Sequence, residues 1–225
     1  MLKKLINSIL AGVSIALGGT IYLLCSNKIV GAFLFAIGIL LVMEFKFLLY
    51  TGYVPTKREE QKFSDYLINS TFVFIGNLIG GGLTAGLLAL TKLREPLYEA
   101  TLNVCNAKLN DELLSVFILA IFCGIIIAGI VKATNMKKQI LFVAMMIATF
   151  ILCGFEHVVA NSFYFAFSLK LFTFEGLLFM LVCLAGNFVG GLISSFVKSP
   201  AEASQKVINE PCGTKVEPVV SEENK

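Results

Sequence analysis

"GNLIGG" occupies Gly76–Gly81 and returns as "GNFVGG" at Gly186–Gly191, each time inside an apolar run and each time with an asparagine, Asn77 or Asn187, in second place. A single hexapeptide of this kind means only close helix packing, because small residues four apart let two backbones approach. Its return at a matched distance means duplication. Other pairs keep the same step of about 110 residues: "AG" at 11–12 with "CG" at 123–124, and "LYTG" at 49–52 with "GFEH" at 154–157.

The duplicated units are apolar throughout. Of 225 residues, 57% are hydrophobic and 15% charged, and the apolar residues form long runs rather than amphipathic stripes, which is a membrane composition. A bilayer core about 30 Å thick needs roughly 20 such residues per helix, and the runs near 5–25, 29–50, 66–90, 113–131, 139–169 and 175–197 meet that length. The reading is an all-α integral membrane protein with six transmembrane helices. Three spans per copy is an odd number, so the second copy enters from the opposite side: two inverted three-helix repeats, about 1–92 and about 108–198. The fifth run is too long for one straight span, and the second ends in "LYTG", so both are read as interrupted helices, an arrangement that places a site near the midplane.

Cytoplasmic loops are enriched in lysine and arginine. Lys3 and Lys4, then Lys57, Arg58 and Lys62, then Lys132, Lys137 and Lys138 flank spans one, two and four on one shared side; Lys28, Lys170 and a mixed-charge loop at 92–112 lie on the other. Both termini are therefore expected in the cytoplasm, with the chain multi-pass in the cell membrane. Leu23 and Leu24 precede Cys25 where a cleavage site needs small residues, so the first run reads as a span and not as a signal peptide. The six cysteines are scattered, with no CxxC and no His/Cys cluster at metal spacing, and are expected to be buried structural thiols. A net charge of +3 gives no reason to expect nucleic acid, no cofactor is implied, and 199–225 reads as a polar, disordered cytoplasmic tail.

Polar groups inside the apolar runs are the candidates for function, since a charge at a helix centre costs about 2.5–3.5 kcal/mol on insertion scales. "CGFEHVVANS" at 153–162 holds Glu156 beside the chain's only histidine, His157. Glu156 is expected to act as a clamp, its carboxylate accepting from backbone N–H groups freed where the helix breaks; the alternative is a catalytic acid. His157 can donate a hydrogen bond when neutral and has an unperturbed pKa of about 6.5, which suits a gate for an anion or a proton; the alternative is a histidine satisfied between packed helices. In the first copy Thr51 supplies a hydroxyl and Leu49 and Tyr50 supply bulk, unless "LYTG" is merely the end of span two. Phe150, seven residues before His157, can share its helix face.

These residues resemble a family. "GFEHVVANSF" closely resembles the fifth-helix signature of the formate/nitrite transporters, "LYTG" is similar to their "LFTG", and "GNLIGG", "GNFVGG" and "AGVSIALGG" fit the third, sixth and first helices, in order over nearly all of 5–197. The resemblance implies pentameric, six-helix, aquaporin-like channels with one pore per protomer, passing small monovalent anions such as formate, nitrite, lactate or hydrosulfide, often with a proton. Carried across by motif, His157 is the central pore histidine and Thr51 its partner; Leu49, Tyr50 and Phe150 form constrictions; Lys108 draws anions into the vestibule. Glu156, Asn161, Asn77 and Asn187 take structural parts at the helix breaks. The chain also departs from the pattern. "IFCG" replaces an "ILCN"-like motif, putting Gly124 where an asparagine is usual near the pore; Leu48 replaces the glutamate of "ELFTG", with Glu44 and Lys46 earlier, paired or snorkelling; and the continuation after "GFEHVVANSF" differs.

The function expected is passage of a small monovalent anion, passive or proton-coupled, through a homopentamer within a lipid bilayer. The runner-up is an aquaporin-like channel for small neutral solutes. An enzyme using Glu156 and His157 lacks a third catalytic group or a metal cluster, and a scaffold without flux would account for Gly124.

Overall fold

A computed structural model describes residues 1–57, 60–135 and 140–196. Arg58, Lys137 and Lys138, part of the charge pattern read above, and the 199–225 tail lie outside the described residues, and of Lys132 only the backbone is described. The chain is helical: α1 (Leu2–Leu24), α2 (Lys28–Glu44), α3 (Tyr50–Tyr53, followed by a turn of 3-10 helix at Val54–Thr56), α4 (Phe63–Leu88), α5 (Arg94–Leu109), α6 (Leu113–Asn135), α7 (Ile140–Leu152), α8 (Val158–Phe167) and α9 (Phe174–Phe196). Among the described residues, four helices are long and apolar enough to cross a membrane: α1, α4, the Leu113–Val131 part of α6, and α9. Large apolar side chains such as Ile68, Leu83, Leu141, Leu181 and Phe196 are exposed on the outside, a surface suited to lipid or to neighbouring copies.

Two helix pairs, α1 with α4 and α6 with α9, cross with their backbones almost touching. A Cβ on Gly12 would lie 2.1 Å from the Asn77 carbonyl oxygen, and one on Gly124 would lie 2.6 Å from that of Asn187. Gly80 and Gly190 close the same crossings from the other side, each with its Cβ position 2.1 Å from a carbonyl oxygen, of Ile9 and Ile121 respectively. The repeated hexapeptides thus serve equivalent contacts. Gly124, expected near the pore, belongs to this crossing, and the facing α9 backbone leaves no room for a side chain there.

The apolar runs 29–50 and 139–169 are each divided, and each first part ends in the same way. After α2, Lys46 takes the left-handed conformation (φ 54°), the Phe47 N–H donates to the Val42 carbonyl (2.9 Å) and the Lys46 N–H to that of Met43 (3.2 Å). After α7, Gly154 is left-handed (φ 71°), the Phe155 N–H donates to the Phe150 carbonyl (3.0 Å) and the Gly154 N–H to that of Ile151 (3.1 Å). Both are Schellman terminations, which satisfy the last helical carbonyls. The chain then runs extended and restarts as α3 or α8.

The 92–112 segment, expected to be a loop, contains the four-turn helix α5. Pro96 sits in its first turn, where it is tolerated, Glu95 lies near its N-terminus and Lys108 in its last turn, both favourable to the helix dipole. Its polar composition lacks the apolar run that marks the other helices in the sequence. Among the described cysteines Cys105, Cys123 and Cys183 are buried, Cys25 is half-buried and Cys153 is exposed, so the expectation of buried thiols holds for three of these five.

Candidate functional site: two cavities meeting at a histidine–threonine contact

Restarting a helix inside the protein leaves its first N–H groups without helical partners. Asn77 and Asn187 resolve this identically. The Asn77 Oδ1 accepts from the Tyr50 N–H (2.7 Å), while its Nδ2 donates to the carbonyls of Leu48 (2.8 Å) and Ser8 (2.7 Å). The Asn187 Oδ1 accepts from the Val158 N–H (2.9 Å), while its Nδ2 donates to the carbonyls of Glu156 (2.7 Å) and Ala120 (2.8 Å). Each fully buried asparagine therefore stitches a broken segment to α1 or α6. An amide side chain suits the task because it offers an acceptor and two donors at once.

The Glu156 carboxylate does something other than expected. Its Oε2 accepts from the Lys108 Nζ (2.5 Å) and from the Asn161 Nδ2 (2.8 Å), an ion pair whose side chains are 6% and 18% exposed for Glu156 and Lys108. Clamping of the freed backbone falls to Asn187, because the extended break carries the Glu156 side chain toward α5. Lys108 is correspondingly a paired cation.

His157 is the N-cap of α8. Its Nδ1 accepts from the Ala160 N–H (3.2 Å), and its Nε2 lies 2.9 Å from the Thr51 Oγ1. A neutral imidazole has one acceptor and one donor nitrogen. With Nδ1 accepting, Nε2 carries the hydrogen and donates to Thr51, whose own hydroxyl hydrogen is left free to turn toward a solute. Protonating Nδ1 would set it against the Ala160 N–H and cost the cap. His157 and Thr51 are both buried, and among the described residues no buried side-chain nitrogen or oxygen lacks a partner.

His157 lines one cavity, and Leu49 and Gly52, on either side of Thr51 in the chain, line another. One, of about 580 Å³, is lined by His157, Phe150, Lys108, Glu156 and Asn161 together with Phe35, Tyr22 and Tyr164. The other, of about 390 Å³, is lined by Leu48, Leu49, Gly52, Tyr53, Ile127 and Lys46, among others, and shares no lining residue with the first. Phe150 packs against the imidazole (ring centroids 6.1 Å) and edge-on against Phe35 (6.0 Å), and Leu49 faces the second cavity.

Tyr50, expected at a constriction, is buried beside Thr51. It lines neither cavity; its ring packs against Phe74 (5.5 Å) and its hydroxyl donates to the Leu184 carbonyl (3.3 Å). Tyr50 and Thr51 are successive helical residues and point about 100° apart, so the Tyr50 ring turns away from the side on which Thr51 meets His157. Glu44 and Lys46 are exposed and form no ion pair with each other. Phe35, Tyr22 and Tyr164 were missed because only the packing of α1, α2 and α8 brings them to the cavity. Gly154, just after an apolar run, was the available signal for where α7 stops.

Comparison with known proteins agrees with this architecture. The solved structure titled "Pentameric formate channel with formate bound" superposes with a TM-score of 0.73 at 22% identity, covering 92% of this chain and 96% of that one. Another, titled "FNT family ion channel", gives a TM-score of 0.74 at 21% identity, covering 85% and 86%. At that identity these establish the fold, a helical membrane protein. The Bacillus subtilis (strain 168) protein named "Uncharacterized transporter YrhG" is 30% identical over 184 residues, 76% of this chain but 65% of its own length. The family model for Formate/nitrite transporter matches residues 1–198, and the chain belongs to the formate/nitrite transporter family.

Proposed function

We propose that this protein is a membrane channel or transporter for a small monovalent anion of the formate, nitrite or hydrosulfide kind. The observation that carries the reading is the buried His157–Thr51 contact between two separate cavities. A bare anion entering a low-dielectric constriction is very costly unless donors replace its water. Here Nε2–H of His157 and the hydroxyl of Thr51 are two neutral donors at one point, and an anion that parts them finds both. Phe150 and Leu49 exclude bulk water on either side. Because Nδ1 is held by Ala160, His157 works in this reading as a hydrogen-bond donor, and a co-transported proton travels on the anion as its weak acid.

The reading extends to architecture. α2 with α3, and α7 with α8, form the interrupted second and fifth spans of two inverted repeats; six spans within 1–198 make one pore per protomer, five protomers pack through the exposed apolar faces, and both termini lie in the cytoplasm of a cell-membrane protein. Support comes from the matching terminations and asparagine clamps, the family, and the pentameric title of one structural neighbour.

Flux of formate, nitrite and hydrosulfide into proteoliposomes, measured against pH, tests the proposal. Wild-type protein is expected to carry at least one of them above empty liposomes, and His157→Ala to alter rate or pH profile. No anion flux, with water or glycerol permeation independent of pH, would instead favour a neutral-solute channel.

A further inference from the structure

The two breaks correspond residue by residue: left-handed Lys46 to left-handed Gly154, Leu48 to Glu156 as partners of the asparagine clamps, and Leu49 to His157 as the residue before the restarted helix. The correspondence exposes an electrostatic difference between the cavities. In the first, Lys108 is paired with Glu156, and Asp111 adds a second carboxylate. In the second, Leu48 stands where Glu156 would be, and among the described lining residues Lys46 is the one charged group; the rest are apolar except Tyr53 and Thr56. Lys46 is exposed, so it sits at the rim. Its left-handed backbone is one that glycine adopts without a Cβ clash and lysine adopts at a cost, so the local fold would be better served by glycine.

We propose that Lys46 is an anion-gathering residue at the mouth of the second cavity, raising the local concentration of small monovalent anions before they reach Leu49 and Thr51. This rests on the anion-channel reading above. Among the described lining residues no carboxylate stands beside Lys46, and a cation on low-dielectric walls focuses its field into the opening, whereas Lys108 spends much of its field on Glu156.

Formate flux at subsaturating concentration into proteoliposomes tests it, with wild type, Lys46→Gly, Lys46→Gln and Lys46→Arg compared at about 0.01 M and about 1 M ionic strength. The expected result at low ionic strength is a loss of roughly three- to tenfold in Lys46→Gly and Lys46→Gln and retention in Lys46→Arg. The differences should vanish at high ionic strength and at saturating formate. A structural role would give the opposite signature, with Lys46→Gly intact and any loss in Lys46→Gln insensitive to salt. Wild-type flux with Lys46→Gly and Lys46→Gln indistinguishable from it at low ionic strength overturns this inference alone. Absent wild-type flux overturns the channel reading and this inference with it.

Discussion

The Lys108–Glu156 pair offers a test of what the polar residues at the second break do. The ammonium lies 2.5 Å from the carboxylate, with side chains 18% and 6% exposed, and the carboxylate's other described partner is Asn161. Removing one partner of a buried ion pair costs about 3–5 kcal/mol, because the other charge is left uncompensated. Since Lys108 retains some contact with the cavity, Lys108→Met should fall at the lower end, about 3 kcal/mol. Glu156→Gln should cost less, about 2 kcal/mol, since the freed ammonium can swing into the cavity while the new amide oxygen still accepts from Asn161. The double variant contains no stranded charge, so it should be more stable than the sum of the singles by about 2 kcal/mol. Unfolding of the four proteins in mixed detergent micelles gives that coupling energy directly. On the proposed function, formate flux should follow charge: Lys108→Met leaves the Glu156 carboxylate unpaired at the first cavity, beside Asp111, and should be slower than the double variant. Additive losses of stability, or a double variant no faster than Lys108→Met, would refute the claim that the pair acts as a unit.

Two further substitutions probe the scaffold. Gly124→Ala should destabilise by about 1–3 kcal/mol through overpacking, because its Cβ would meet Asn187 and Gly191 backbone that cannot rotate away; Gly82→Ala, with nothing within 4 Å, is the control, and equal melting temperatures for the two would contradict the crossing. Asn187→Ala strands the Val158 N–H and two carbonyls, each costing about 1–3 kcal/mol when buried without a partner. A loss of at least about 3 kcal/mol is expected in the same micelle titration, and Asn77→Ala should match it; a loss in only one would show that the two clamps are not equivalent.

Much of this protein was legible in the order of its residues. Long apolar runs with few charges admit only a membrane helical fold, because bilayers require backbone hydrogen bonds to close within each segment. The paired hexapeptides marked equivalent close helix crossings, and a lone histidine in an apolar run marked the candidate site. These are local signals of composition, periodicity and recurrence, and they survive without knowledge of the partners. The partners themselves were decided by the tertiary structure. Glu156 could be assigned to freed N–H groups until α5 brought Lys108 to it; the partners of Tyr50, Phe74 and the Leu184 carbonyl, come from α4 and α9. The α9 backbone opposite Gly124 and the cavity that Lys46 lines likewise exist only in the packed structure. In each case the deciding group comes from a distant segment, and hydrogen bonding and steric exclusion, unlike hydropathy, depend on which neighbour arrives.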